Sequence, residues 1–212
     1  MKLGAHDTFL INEVMPKMKK ALQDEDNIFK ENLKKTSHKA FYKDEIFGLF
    51  SNVFTERTLQ YIVFKELCKY FKIIPEDLAY IASNKRIDLA IYKNHKKRDK
   101  VYSEIGIEIK KVTFTREGFI QLKSMDMIVD DFVKLLKSEN KHKYLLLFGF
   151  GKANNLDLLN DDFIKTSENR YKKRIFYKYD IFFLNKRSFK TQVDKNEHID
   201  FNIILCKIIK ST

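Results

Sequence analysis

Apolar residues recur along this chain with two different periods, and the change of period divides it. Leu10, Val14, Met18 and Leu22 recur every four residues, as on one face of a helix. The charged stretch 23–43 has few apolar anchors, and residues 1–50 read as a helical N-terminal extension. A second helix is predicted over 53–71, with Leu59, Ile62, Val63, Leu67 and Tyr70 as its apolar stripe, followed by a turn at Pro75. The period then drops to two. In 86–92, Ile87, Leu89 and Ile91 alternate with Asp88, Ala90 and Tyr92; in 102–110, Ile105, Ile107 and Ile109 alternate with Glu104, Gly106, Glu108 and Lys110. Such alternation predicts two half-buried strands, joined by the polar, basic connection 93–100. Helical spacing returns over 117–137, where Leu122, Met125, Val129, Phe132 and Leu136 are spaced by three and four. The apolar run 143–150 reads as a buried strand beside the first two. A short helix over 156–164, a basic loop over 169–174 and strands over 175–184 and 199–209 complete the pattern. The expected fold is mixed α/β: a mixed central β-sheet flanked by helices, in one domain over 1–212.

Composition narrows the class. With 44% hydrophobic residues among 212, the chain can fill a core without disulfides or structural metals. No apolar run reaches the roughly 18 residues of a membrane helix, and the N-terminus lacks the pattern of a signal peptide. Cys68 and Cys206 each sit in an apolar segment and read as buried free thiols, which suits a reducing cytoplasm. The formal net charge of +12 fits a polyanionic partner such as nucleic acid. Lysine outnumbers arginine 34 to 7, however, and an AT-rich genome yields that bias whatever the function.

Chemistry enters through which side chains share a strand face. Asp88 lies opposite the apolar set of its strand; Glu108 and Lys110, two residues apart, lie opposite theirs. If the strands pair as a hairpin, the three converge. Two facing carboxylates repel, and a divalent cation removes the conflict. Mg²⁺, with Mn²⁺ as substitute, suits carboxylate and water ligands. A third carboxylate is expected from the preceding helix. Glu56 is preferred for its place near the helix start, with Glu66 as the other candidate. The alternative is a solvent-facing ladder of charge pairs across a hairpin. Asp126, Asp130 and Asp131 read as a solvated helix face.

The segments RIDLAIY and EIGIEIKK resemble the bipartite signature of the PD-(D/E)xK, or restriction-endonuclease-like, nuclease superfamily: an acidic residue on one strand, here Asp88, then Glu-x-Lys on the next, here Glu108-Ile109-Lys110. Ile87 stands where the motif has proline, and the gap from Asp88 to Glu108 is long. The resemblance spans 53–150 and implies an α-βββ-α-β core, with 1–50 as an N-terminal extension and 151–212 as added strands and basic loops. It implies a Mg²⁺-dependent endonuclease that hydrolyses DNA phosphodiester bonds, with restriction endonuclease as the natural subclass. Asp88, Glu108 and Glu56 would bind metal, and Lys110 would position or activate the attacking water. Double-stranded DNA is the implied substrate, and a homodimer suits cutting both strands of a palindrome. Backbone contacts would come from Lys96, Lys97 and Arg98 and from Lys172, Lys173 and Arg174; some members carry a Gln or basic residue after the Glu-x-Lys strand, a nucleic-acid-binding place that Gln121, Lys111 or Arg116 would fill. The alternative function is a catalytically inactive nucleic-acid-binding module of the same fold.

Other chemistries lack their motifs. The segment 149–154 has Gly-Lys without P-loop spacing, no G-x-S-x-G occurs, and His6, His38, His95, His142 and His198 show no zinc-ligand spacing.

Overall fold

The computed structural model describes residues 3–35, 55–77, 87–92, 104–115, 118–138, 140–153, 179–194 and 197–210. The N-terminal helical run consists of α1 (Ala5–Phe9), a π-helical turn (Leu10–Val14) and α2 (Met15–Lys35). The π turn has a local cause. Pro16 has no N–H to donate and its ring crowds the carbonyl four residues back, so the helix widens just before it. The four-residue repeat is realised: Leu10, Val14, Met18 and Leu22 are all buried.

Helix α3 (Glu56–Leu67) begins at Thr55, whose side chain accepts from Thr58 N. Strands β1 (Lys72–Asp77), β2 (Ile87–Tyr92) and β3 (Ile105–Thr113) follow, then α4 (Leu122–Leu136), β4 (His142–Phe150), β5 (Tyr179–Asp194) and β6 (Glu197–Lys210). The strands form one mixed sheet in the order β1-β2-β3-β4-β6-β5. β1, β2 and β3 run antiparallel in succession, β4 is parallel to β3 and antiparallel to β6, and β6 pairs with β5 in a long hairpin.

Two apolar layers cover the sheet. Leu59, Ile62, Val63 and Leu67 of α3 join the N-terminal helices over Leu89, Ile91, Ile105, Ile107 and Ile109. Met125, Ile128, Val129 and Phe132 of α4 pack on the other face with Ala90, Val112, Leu145 and Leu147. Ile87 departs from its predicted set and joins this second layer. Gly106 makes the room: a Cβ there would lie 2.4 Å from both Ile87 Cδ1 and Asn140 Oδ1. The first layer also holds one polar anchor. The buried Asp7 carboxylate accepts from Gly4 N at 2.8 Å, Tyr144 Oη at 2.7 Å and Lys207 Nζ at 2.6 Å, tying α1 to β4 and β6.

Several expectations need correction. Pro75 lies inside β1 rather than in a turn; β1 is an edge strand, where a missing N–H is tolerated. Helix α3 ends before Tyr70, which is exposed with Lys17 Nζ 3.9 Å from its ring centroid. Cys68 is an exposed free thiol; only Cys206 is buried. β5 is much longer than predicted. The expected helix over 156–164, the loop 169–174 and the connection 93–100 lie outside the described residues, and so do Lys96, Lys97, Arg98, Arg116, Lys172, Lys173 and Arg174. Among the described residues no helix is long and apolar enough to cross a membrane.

Candidate active site

The site forms where β2 and β3 part. Their registered pairs are Ile91 with Ile105, Ala90 with Gly106 and Leu89 with Ile107, while β3 continues to Thr113. Two backbone N–H groups just past the last pair go to side chains. Ile109 N donates to Asp88 Oδ2 at 2.7 Å and Lys111 N to Glu56 Oε2 at 3.4 Å. A backbone N–H withdrawn from water needs an acceptor, so this fork in the sheet itself draws carboxylates to one place.

Alternation along β3 sets Glu108 and Lys110 on the α4 face, opposite Ile107 and Ile109. Lys110 Nζ lies 3.1 Å from Glu56 Oε1 and 3.0 Å from Asp131 Oδ2 of α4. Glu108 is 1% exposed and meets Lys134, also of α4. The Lys134 ammonium sits 2.6 Å from both Glu108 oxygens and donates to Oε2. Oε1 is in ion-pair contact with the same ammonium but makes no hydrogen bond among the described residues. Four carboxylates thus surround two ammonium groups, a formal excess of two negative charges.

That excess shows in the proton affinities. Burial, reinforced by the neighbouring Asp88, pushes the Glu108 carboxyl up to about 9 even against Lys134. Burial likewise raises Asp131 to about 6, with Lys110 opposing, and raises Asp88 above the ordinary aspartate range despite the Ile109 N–H. Burial acts to lower Lys110, but Asp131 and Glu56 outweigh it and hold the ammonium above its usual value.

The geometry brings together Glu56, Asp88, Glu108 and Lys110. No protein-family model, curated protein or solved structure matches this chain. The site therefore has to be read from its own groups.

Those groups revise the sequence reading in three ways. Glu56 arrives as expected, but its oxygens are taken by Lys110 Nζ and Lys111 N, so it holds the lysine rather than standing open to a cation. Asp131, assigned to a solvated face, turns inward, and Lys134 was not singled out at all. Spacing gave no signal for either: Asp131 lies six residues after Met125 and Lys134 five after Val129, offsets that place both away from the apolar stripe of α4. Glu66 is buried but forms its pair locally, with Lys69 at 2.6 Å.

The two described candidates for nucleic-acid contact do not join the cluster. Lys111 points to the other face, its Nζ 5.8 Å from the Phe150 ring centroid, and burial lowers its ammonium. Gln121 is the exposed N-cap of α4, about 15 Å along the helix from Asp131 at 1.5 Å per residue.

Among the described residues no three His, Cys, Asp or Glu side chains form a ready metal-binding group. Mg²⁺ often needs only one or two carboxylates, completing its shell with water and substrate phosphate. Asp88 with Glu108 fits that smaller set, on adjacent strands and a shared face, with the Lys134 ammonium now occupying the Glu108 carboxylate that an ion would share.

Proposed function

We propose that the protein is a Mg²⁺-dependent endonuclease acting on DNA phosphodiester bonds, in the manner of the PD-(D/E)xK nucleases. The observation that carries this reading is the convergence of Asp88, Glu108 and Lys110 at the fork of β2 and β3, with Glu108 buried and its proton affinity raised by burial and by Asp88, a repulsion that a bound cation would relieve. The run of one helix, three antiparallel strands, a helix and a parallel strand also supports a restriction-endonuclease-like core.

Asp88 and Glu108 would hold the cation, and Mn²⁺ would substitute for it. When bound, the ion supplies Lewis-acid stabilisation of phosphate charge and lowers the pKa of water. The rest falls to the chain. Glu56 and Asp131 keep the Lys110 ammonium in place and charged, ready to orient the attacking water and to offset charge on the phosphate. Lys134 limits repulsion between Glu108 and Asp88. The net charge of +12 supports a polyanionic substrate. Double-stranded DNA is the proposed substrate, and a symmetric dimer is proposed for cutting both strands.

Binding of Mn²⁺ tests the site before any substrate is known. Calorimetry on the parent is expected to show weak uptake that disappears in Asp88→Asn, together with Mn²⁺-dependent cleavage of duplex DNA that the variant lacks. Salt-dependent DNA binding with no Mn²⁺ uptake and no cleavage would instead leave a nucleic-acid-binding module.

A further inference from the structure

Asp131 has no counterpart in the strand motif, yet it makes one of the shortest contacts to Lys110. Helix α4 runs antiparallel to β3. Ser124 near its start accepts from Thr113 N, Asp131 meets Lys110, and Lys134 near its end meets Glu108. Docking does not require the Asp131 contact, because Met125, Ile128, Val129 and Phe132 already bury an apolar face on the sheet. Placing a carboxylate in such a contact works against stability: Asp131 is only 14% exposed, and burial raises its proton affinity. A buried ion pair commonly adds little net stability, and its best-supported value is in fixing geometry.

Lysine geometry needs fixing here. The ε-ammonium ends a flexible four-carbon stem. A single carboxylate would leave it free to swing about one contact. Glu56 Oε1, from the start of α3, accepts a hydrogen bond from it at 3.1 Å, and Asp131 Oδ2, from α4, is its ion-pair partner at 3.0 Å without a hydrogen bond, so two separate helices flank it. The tip is then restrained on the Glu108 side of β3.

We propose that Asp131 is a positioning residue that acts through Lys110: it fixes the ammonium beside Glu108, where the reacting phosphodiester would lie. The inference rests on the nuclease reading for its consequence, but the contact itself can be tested without catalysis.

Full-length Asp131→Asn, Asp131→Glu and Asp130→Asn proteins are compared with the parent in two assays. The first is the rate at which a water-soluble succinimidyl ester acylates Lys110, followed by peptide mass spectrometry. Asp131→Asn is expected to raise this rate several-fold, Asp131→Glu to return it toward the parent, and Asp130→Asn to leave it unchanged. The second assay is cleavage of labelled duplex DNA with Mn²⁺. Here Asp131→Asn is expected to lower kcat by about 10²-fold, the cost of a small misplacement of a catalytic group, with KM unchanged. Acylation of Lys110 at the parental rate in Asp131→Asn overturns the proposal, and so does parental kcat in that variant. Faster acylation with no cleavage by any of the proteins upholds the hold of Asp131 on Lys110 and sinks the nuclease reading instead.

Discussion

Replacing Lys110 by methionine should abolish metal-dependent cleavage while leaving the fold intact. Methionine keeps most of the stem and removes only the charge. A lost electrostatic contact to the transition state costs on the order of 10²–10³ in kcat, enough to bring a modest nuclease to background. The structural consequence is also specific. Glu56 and Asp131 both lean on this ammonium, and Lys110 is what opposes the burial of Asp131. Without it the Asp131 carboxyl rises above about 6 and takes up a proton near neutrality, which relieves the unpaired charge and lets the protein stay folded. Cleavage assays beside circular dichroism check both halves. Parental cleavage by Lys110→Met would show that the lysine serves only as an ion-pair partner of Glu56 and Asp131.

Glu108→Gln should do the opposite to stability and the same to activity. In the folded protein the Glu108 carboxyl titrates at about 9, against 4.5 for the free group. A folded value above the unfolded one means that the folded state binds the extra proton. Its contribution is complete below about 4.5 and is lost as pH rises toward 9. Asp131, raised from 3.8 to about 6, acts with the same sign over a lower window. The parent should therefore lose stability steadily as pH rises from about 4.5 to about 9. Glutamine carries no titrating proton, so the variant should hold its urea midpoint there and exceed the parent at pH 9 by on the order of a few kcal/mol. It should also lose Mn²⁺ uptake and cleavage. A site that is costly to fold and necessary for activity is the expected trade between stability and function. Glu108→Gln that destabilises the protein at pH 9 would mean that Lys134 fully compensates the buried charge.

Much of this arrangement was legible in the chain, and the parts that were not have physical reasons. The four-residue spacing of Leu10, Val14, Met18 and Leu22 reports burial directly, and the alternation around Asp88 and Glu108 marks strands, but not half-buried ones: helices cover both faces, so Ala90, Gly106 and Glu108 are buried too. β1 was hidden because its centre is Pro75, a residue that reads as a turn until an edge position absorbs its missing N–H. The strand carboxylates were visible because period two assigns faces along paired strands, although Ile87 at the start of β2 escapes it. Asp131 and Lys134 were not visible, because their spacing puts them away from the apolar stripe, and their contacts with β3 depend on how the helix is rolled and how far the side chains reach, which no spacing records. Glu56 was placed correctly, but its partners were not: the open N–H of Lys111 exists only because β2 and β3 part.

Diffraction from crystals soaked in Mn²⁺ and measured for anomalous scattering tests the central claim most directly. The account predicts one strong peak at the fork of β2 and β3, within coordination distance, about 2.1–2.3 Å, of carboxylate oxygens from both Asp88 and Glu108. Well-ordered crystals with no peak there, or with manganese bound only to other carboxylates, would contradict it.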